Sequence, residues 1–421
     1  MHWNRTVVYR TRVRFVAAIS LLSLFVSSAA AQEKPLLQLI EPDPAARTAA
    51  AVIVSETPLV QTAQLFPVDA ENALVGEGDL KRQLQTLFQR LESRLQSAEA
   101  GLAGLVRLNL YTSDDATAEK VLAQLPQYLP EGAAPAVTVA SGKPVRAGTL
   151  VSLDALAISK RTVGRELKFS DTRSRSDFAE MADWCLFPPG TLVFISGQAE
   201  AGTDLRTATR YTLQSLVKSL EFLRLSAADV ISTKSFAHPI QELPAVWSEF
   251  QQFYPGRAVP PAAFVEWISA KPSIEIELVA YAPQPETLPR PPGSSSIAPV
   301  VEYLTPPGMT ASPVFSRVAV VRGTKRIYVG GLYGSDLTSP ETEVRGCLDR
   351  LKAVVELAGS DLQHLAKATY YVSRDEPSQQ LNLLRPTYYD PKRPPAASKA
   401  PTLGTGRAGY GLVIDMIAVG K

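Results

Sequence analysis

Cysteine and histidine are scarce in this chain of 421 residues, which has two cysteines and three histidines. Structural zinc sites use clusters of cysteine and histidine ligands, and disulfide frameworks use several cysteine pairs, so neither is expected here. Cys185 and Cys347 could form one disulfide bond in an oxidising compartment, but the helical pattern around Cys347 favours burial as a small apolar side chain. His2 lies at the start of the chain, and His238 and His364 leave almost no material for a histidine-based triad. No metal and no other cofactor is therefore expected.

The chain also lacks an imbalance of charge. Lysine and arginine number 43 and aspartate and glutamate 41, a net charge of +2, and part of the basic excess lies in the first fourteen residues. This balance predicts no nucleic-acid partner and no membrane-surface partner. A hydrophobic fraction of 45% and a charged fraction of 20% are typical of globular proteins, and the length allows about two to four domains.

Apolar runs long enough to cross a bilayer are missing, and the clearest apolar segment lies near the N-terminus. Residues 1–14 hold four arginines and no acid, residues 15–28 are mostly apolar, and small residues follow at Ala29 and Ala31. This pattern predicts a signal peptide over residues 1–31, which would leave a secreted or periplasmic protein without a membrane anchor. The alternative is an uncleaved anchor.

An acidic residue within a short apolar strand occurs three times in the sequence. The three strands are LVSLDALAIS with Asp154, SIEIELVAYA with Glu277, and GLVIDMIAVG with Asp415. Each is preceded by an earlier strand that ends in an aromatic residue, at 106–111, 231–236 and 366–371. Further upstream, each has an amphipathic helix with an apolar i, i+3 stripe, formed by Phe88 and Leu91, Leu213 and Leu216, and Leu348 and Leu351.

This recurrence predicts three tandem copies of an α+β unit, each about 120 to 130 residues long. The first and most divergent copy spans 36–160, the second 176–283 and the third 300–421, with a Pro/Ser-rich linker at 284–299. Helices on one face of a sheet suit the spacing of the elements.

The strand at 274–282 carries acids on one of its two faces. Ile274, Ile276 and Leu278 alternate with Glu275 and Glu277, so one face is buried and the other faces either water or a cleft.

The second and third copies resemble the RidA/YjgF reactive intermediate deaminase family, and the first resembles it more distantly. The resemblance runs from SGQAEAGTDLRTATRYTLQSLVKSLEFLRLSAADVISTKSFAHP through VEWISAKPSIEIELVAYA, and again through LKAVVELAGSDLQHLAKATYY and LNLLRPTYYDPKRPPAASKA. It implies a chorismate-mutase-like fold, with the three copies forming an intrachain pseudo-trimer, sheets inside and helices outside. It also implies small-molecule binding in clefts between copies, so the acidic face of the strand would line a cleft. The protein would then be a monomer.

The family's catalytic and ligand-binding positions are only partly retained. The arginine that grips the substrate carboxylate corresponds to Ala134, Ala262 and Ala397, and the catalytic glutamate corresponds to Ser152, Glu275 and Val413. Glu275 is therefore the candidate catalytic residue. The candidate ligand-binding residues are Ser196, Gly197, Gly331 and Asn382.

Two functions remain open at this point. The first is a binding protein for small organic molecules that has lost the carboxylate clamp. The second is a divergent enamine/imine deaminase, a hydrolase releasing ammonia, that acts in the cleft containing Glu275. Arg257 and Arg393 lie a few residues before two vacant arginine positions, and the sequence favours solvated loop positions for both. Restoring the clamp with Ala262→Arg is expected to help most, because that copy keeps Glu275.

Overall fold

A computed structural model of the protein describes residues 1, 2 and 36–421, apart from 172–177, 179, 270, 292, 294 and 296. The predicted signal peptide lies outside the described residues, except for its first two. Among the described residues, no helix combines the length and the apolar character needed to cross a bilayer.

Three pairs of helices alternate with strands along the described chain. The long helices have eighteen residues each and begin after an Asp or Ser N-cap whose side chain accepts a backbone hydrogen bond. The helices are α1 (Leu80–Ser97), α2 (Asp115–Gln124), α3 (Leu205–Phe222), α4 (Leu243–Phe253), α5 (Pro340–Leu357) and α6 (Asp375–Tyr388). Short 3₁₀ helices span Leu125–Gln127, Ala227–Asp229, Ile240–Glu242 and Pro285–Thr287.

The described strands have between two and thirteen residues. They are β1 (Leu37–Asp43), β2 (Thr48–Val54), β3 (Leu59–Thr62), β4 (Ala100–Thr112), β5 (Ala136–Ser141), β6 (Val151–Ser159), β7 (Lys168–Phe169), β8 (Trp184–Phe187), β9 (Thr191–Gln198), β10 (Val230–Ala237), β11 (Ala262–Glu266), β12 (Ile274–Ala282), β13 (Val301–Leu304), β14 (Val318–Val321), β15 (Arg326–Leu332), β16 (Leu365–Val372), β17 (Ala396–Pro401) and β18 (Leu412–Val419).

Three groups of four strands share one pairing pattern. Group 1 has the order β5-β4-β6-β3, group 2 has β11-β10-β12-β9, and group 3 has β17-β16-β18-β15. In every group the first pair is parallel and the next two are antiparallel. The fold is therefore α+β with mixed sheets.

Three antiparallel strand pairs connect the groups in a closed cycle. The pair β7–β8 lies between groups 1 and 2 in the sequence and adds to β3 of group 1, and β13–β14 adds in the same way to β9 of group 2. The pair β1–β2 comes first in the sequence but adds to β15 of group 3, where Val52 lies opposite Tyr328. Each group thus becomes six-stranded, and a single pairing between Ala49 and Ala136 joins two of these sets into a twelve-stranded sheet.

Each group has a bulge at the same place, in or directly after the strand that comes first in its sequence (β3, β9 and β15). Two β9 residues, Ser196 and Gly197, lie opposite Glu277 alone, and two β15 residues, Gly330 and Gly331, lie opposite Asp415 alone. The pairing of β3 with β6 also shifts by one residue before Leu65. Bulges re-aim side chains and leave backbone groups unpaired, and they are common beside functional sites.

The core has one layer under each helix pair and a shared centre. The predicted helix stripe is confirmed, because its members are buried: Phe88, Leu91, Leu213, Leu216, Leu348 and Leu351. A further apolar cluster combines all three groups, with Val106, Ile231 and Ala366 among its members. Cys185 and Cys347 are both buried and free, which agrees with packing rather than a disulfide bond.

Candidate functional site

The acidic face of β12 is covered by protein. Ile274, Ile276 and Leu278 belong to the core cluster of group 2. On the other face, Glu277 is buried and its Oε2 lies 2.6 Å from the Nζ of Lys367, a group 3 residue. The face that the alternation left open therefore forms a junction with another group.

At the centre, acids of one group meet bases of another. Lys367 pairs with Glu277, and Arg107 pairs with Asp415. Burial lowers the pKa of Lys234, and the negative charge of Asp154 partly opposes this effect.

Asp154 is held by hydrogen bonds from its own group. It accepts from the Tyr111 hydroxyl at 2.5 Å, from Asn109 Nδ2 at 2.8 Å and from Gln61 Nε2 at 3.1 Å. A cavity of only about 70 Å³ lies at this centre and is lined by Arg107, Asp154, Lys234, Glu277 and Lys367. This space suits ordered water better than an organic ligand.

Glu275 lies at a separate junction, where group 2 meets β17 of group 3. The Ser196 hydroxyl donates to the Ser316 carbonyl at 2.5 Å and accepts from the Ala397 backbone N–H at 2.7 Å. A Cβ at Gly197 would lie 2.0 Å from Glu275 Oε1, so the Glu275 carboxyl group keeps this position only beside a glycine. We call this region, formed by Ser196, Gly197, Glu275, Ser398 and Lys399, the Glu275 cleft.

The Glu275 carboxyl group titrates near neutral pH. Burial raises its pKa to about 7, and the charge of Glu277 adds to this effect, while Ser398, Lys367 and Lys399 oppose it. Its Oε1 is buried and has no hydrogen-bond partner among the described residues. A carboxyl group in this state can both release and accept a proton at physiological pH.

Lys399 brings a cation to the Glu275 cleft. It lies two residues after Ala397 and therefore projects from the same face of β17. Its Nζ donates to Ser378 Oγ at 3.0 Å and lies 3.3 Å from Asn382 Oδ1. Burial lowers the pKa of Lys399, and the charge of Glu275 raises it. The sequence-based prediction omitted Lys399, although this residue lies two positions after Ala397, which occupies the family's arginine position.

The predicted site residues divide between two places. Ser196, Gly197 and Glu275 lie together, and Lys399 connects them to Asn382. Gly331 lies elsewhere, because its neighbours are Val413 and the β5 backbone of group 1.

Two sequence-based assignments are wrong: the residue at the arginine position of group 1, and the arginine position that lies beside Glu275. Parallel pairing places Val137, rather than Ala134, in register with Ala262 and Ala397, because each of the three lies opposite the equivalent residue of its parallel neighbour. The pairing of Glu275 with Ala262 in one cleft is also wrong. Glu275 has β17 beside it, whereas the Ala262 carbonyl accepts from Gln64 of group 1.

The junction of groups 1 and 2 differs from the Glu275 cleft. There Ser152 occupies the glutamate position and accepts a hydrogen bond from Gln64 Nε2 at 3.0 Å, while Gln64 Oε1 accepts from the Phe264 N–H at 2.9 Å. These polar groups satisfy one another.

Of the two flanking arginines predicted to be loop residues, Arg257 is exposed and Arg393 stacks on Tyr303, 5.9 Å from the ring centroid.

Within the described part of the chain, histidine, cysteine, aspartate and glutamate form no cluster of three or more that could hold a metal ion. The side chains of the Glu275 cleft offer proton transfer by Glu275 and a positive charge on Lys399.

The chain is similar to one protein family and to several solved structures. Residues 40–159 match the family model described as Endoribonuclease L-PSP. No curated protein matches the chain.

The solved structures match only part of this chain. The Rid-family protein YyfB from Yersinia pestis is 22% identical, with 30% of this chain and 99% of that chain covered and a TM-score of 0.27. TdcF from E. coli, solved with bound serine, is 19% identical, with 23% and 81% covered and a TM-score of 0.21. A YjgF-family protein from Neisseria meningitidis is 18% identical, with 29% and 95% covered and a TM-score of 0.22.

Proposed function

We propose that this chain is a RidA/YjgF-like protein that binds small organic molecules in clefts between three RidA-like units, on the premise that residues 40–159 match the Endoribonuclease L-PSP model. The units are the three strand groups with their helices and added strand pairs, arranged as an intrachain pseudo-trimer with sheets inside. Support comes from the repeated pairing order and from the closed cycle of added strands.

The observation that carries the binding proposal is the state of the Glu275 carboxyl group. A buried carboxyl oxygen without a partner destabilises a fold, and perturbed acids of this kind concentrate at functional sites. Lys399 supplies a positive charge in the same cleft. The best-suited ligand is small, with one group that donates to Glu275 and one acceptor or anionic group that faces Lys399.

A zwitterionic amino acid tests this complementarity directly. Isothermal titration of the full chain with L-alanine and L-serine at pH 8 is expected to show saturable binding, because Glu275 is then largely ionised. Glu275→Gln and Lys399→Met should each weaken it at least tenfold, since each removes a charge-assisted contact. Equal affinity in the wild type and both variants would place the ligand outside the Glu275 cleft.

The second candidate is enamine/imine hydrolysis in the same cleft, and the pKa of Glu275 near 7 favours it. Glu275 would take a proton from a water molecule as that water attacks the imine carbon, and then return the proton to the leaving nitrogen. One imine and one water thus give one carbonyl compound and one ammonia. The vacant arginine position at Ala397 opposes activity on 2-imino acids. Loss of a buried charge partner costs about 2 to 5 kcal/mol, or roughly thirty-fold to several thousand-fold in rate.

A paired gain-of-function experiment separates the two candidates. We expect negligible hydrolysis of 2-iminopropanoate and 2-iminobutanoate by the wild type, and measurable hydrolysis by Ala397→Arg, which restores a guanidinium beside Glu275. Ala262→Arg is the matched control and should gain little, because its strand lies at the other junction. Adding Glu275→Gln to Ala397→Arg should abolish the gain. Wild-type turnover that survives Glu275→Gln would refute a role for this cleft in hydrolysis.

We also propose that residues 1–31 are removed and that the mature protein is secreted or periplasmic. Mass spectrometry of protein from a secreting host should then give an N-terminus near Gln32. Recovery of the intact N-terminus in the membrane fraction would support an anchor.

A further inference from the structure

One stripe of α6 carries three polar side chains that surround the end of the Lys399 side chain. Ser378, Asn382 and Arg385 follow the i, i+4, i+7 spacing that brings side chains to one face of a helix. The Lys399 Nζ donates to Ser378 Oγ at 3.0 Å and lies 3.3 Å from Asn382 Oδ1. Both acceptors are neutral, and Lys399 forms no ion pair with any described residue.

A second cation, Arg385, lies beside Lys399. Its Nη2 donates to the same Asn382 oxygen at 2.6 Å, so two positively charged side chains converge on one amide oxygen. Arg385 is only 3% exposed and stacks on the Tyr370 ring, 4.8 Å from its centroid. Its Nε is buried without a hydrogen-bond partner among the described residues. The positive charge of Arg385 is therefore fixed in place next to the Lys399 amine.

This arrangement favours the neutral form of the Lys399 amine. Burial and, after it, the charge of Arg385 lower the pKa of Lys399, because both disfavour a second positive charge. The charges of Glu275 and Asp375 oppose this effect. Because the pKa of Glu275 is about 7, a large share of its carboxyl groups are neutral near that pH and do not oppose it. A lysine that is desolvated or next to another cation is an activated nucleophile toward carbonyl carbons.

We propose that Lys399 forms a Schiff base with small, uncharged aldehydes and ketones, with Glu275 transferring the protons. An uncharged ligand is inferred because Ala397 occupies the arginine position, which leaves no cation there to hold a carboxylate. The inference rests on the proposed function of the Glu275 cleft as a ligand site and adds a covalent step to it. Lys399 reacts in its neutral form, whereas non-covalent binding of an anionic group uses its charged form.

The reaction needs no oxidant or reductant. The lone pair of the Lys399 nitrogen forms the C–N bond, and the C=O π electrons move to the oxygen, which takes the proton of the Glu275 carboxyl group. The new ammonium nitrogen then returns a proton to Glu275, which gives a neutral carbinolamine. Glu275 protonates the hydroxyl group, water leaves, and the nitrogen lone pair forms the C=N bond. One amine and one carbonyl compound thus give one iminium ion and one water, with the Glu275 carboxylate as counter-ion.

Reductive trapping on the full chain tests this reaction. The protein is incubated at pH 7 with propanal and sodium cyanoborohydride, which reduces a Schiff base to a stable propyl-lysine, and the modified lysines are located by proteolysis and mass spectrometry. Lys325 is the matched control in the same molecule, because it is also half-buried and its Nζ donates to a neutral oxygen, the Ala358 carbonyl, at 3.0 Å. Lys399 should be modified at least tenfold faster than Lys325.

Three variants assign the roles of the neighbouring groups. Glu275→Gln should slow the modification of Lys399 at least tenfold, because an amide does not transfer the protons. Arg385→Met should raise the pKa of Lys399, so that its modification slows at pH 7 and recovers at about pH 9. Arg385→Lys keeps the cation and should stay close to wild type. Modification of Lys325 should be equal in all of these proteins, which separates a local effect from a loss of folding.

The same proteins separate this inference from the binding proposal. Equal modification rates of Lys399 and Lys325 in the wild type would overturn the Schiff-base chemistry, and so would a Lys399 rate that neither Glu275→Gln nor Arg385→Met changes. Saturable binding of L-alanine or L-serine by that wild type would leave the binding proposal standing. Preferential modification of Lys399 without amino-acid binding would support the Schiff base and refute the binding proposal.

Discussion

Replacing Glu275 with glutamine is expected to stabilise the fold in alkaline solution and to leave its stability nearly unchanged in acid. The pKa of Glu275 rises from 4.5 to about 7 on folding, so between these values the folded state holds a proton that the unfolded state has released. Stability therefore falls as pH rises across this interval. A shift of about 2.5 units at 1.36 kcal/mol per unit corresponds to about 3 kcal/mol lost by pH 8. Glutamine resembles the protonated acid and does not incur this loss.

Urea unfolding followed by tryptophan fluorescence between pH 4 and pH 8 measures the effect. The difference in the free energy of unfolding between Glu275→Gln and wild type should grow from near zero to about 3 kcal/mol in favour of the variant. Glu277→Gln serves as a control of opposite sign, because Lys367 holds the pKa of Glu277 below its usual value despite burial. That variant should be less stable at pH 8, with a difference that shrinks in acid. A pH-independent difference for Glu275→Gln, or a loss of stability at pH 8, would refute the reasoning.

Three further predictions follow from the packing. Lys367→Met should destabilise the fold by about 3 to 5 kcal/mol because it leaves Glu277 buried without its partner, and adding Glu277→Leu should recover most of that loss, as urea unfolding of the two variants can show. Gly197→Ala should displace the Glu275 carboxyl group, because the new methyl carbon meets Oε1 at 2.0 Å, so this variant should show a weaker pH dependence of stability than wild type. The full chain should be a monomer by light scattering because its strand cycle is closed, whereas deletion of residues 36–54 should expose the edge of β15 and produce oligomers. A trimeric full chain, or a monomeric deletion variant, would contradict the last of these.

The helices and the buried strand faces could be predicted because they depend on local periodicity. The apolar stripe of the long helices and the alternation around Glu275 are properties of neighbouring residues, and both match the burial in the structure. The equivalence of Asp154, Glu277 and Asp415 was also visible, because each lies in a strand of the same pattern. The ion pairs of Glu277 with Lys367 and of Asp415 with Arg107 were not visible, because each base belongs to a different group from its acid.

The composition of the Glu275 cleft depends on contacts that the sequence does not encode locally. The packing of the groups decides whether Glu275 lies beside Ala262 or Ala397, and the sequence of a strand does not predict which strand of another group packs against it. The choice between Ala134 and Val137 depends on parallel register, which a shift of a few residues in a loop alters without any change in periodicity.

The cycle of strand pairs also imposes an order on folding during synthesis. The partner of β2 is β15, which begins about 270 residues later, so at typical rates of chain elongation the first strand pair waits on the order of tens of seconds for its sheet. A chain that has reached residue 282 holds every strand of groups 1 and 2 but has an unpaired β2 edge, the kind of edge that recruits other chains. The end of the chain therefore protects its beginning, and closure of the ring is the last step at which the nascent protein is open to aggregation.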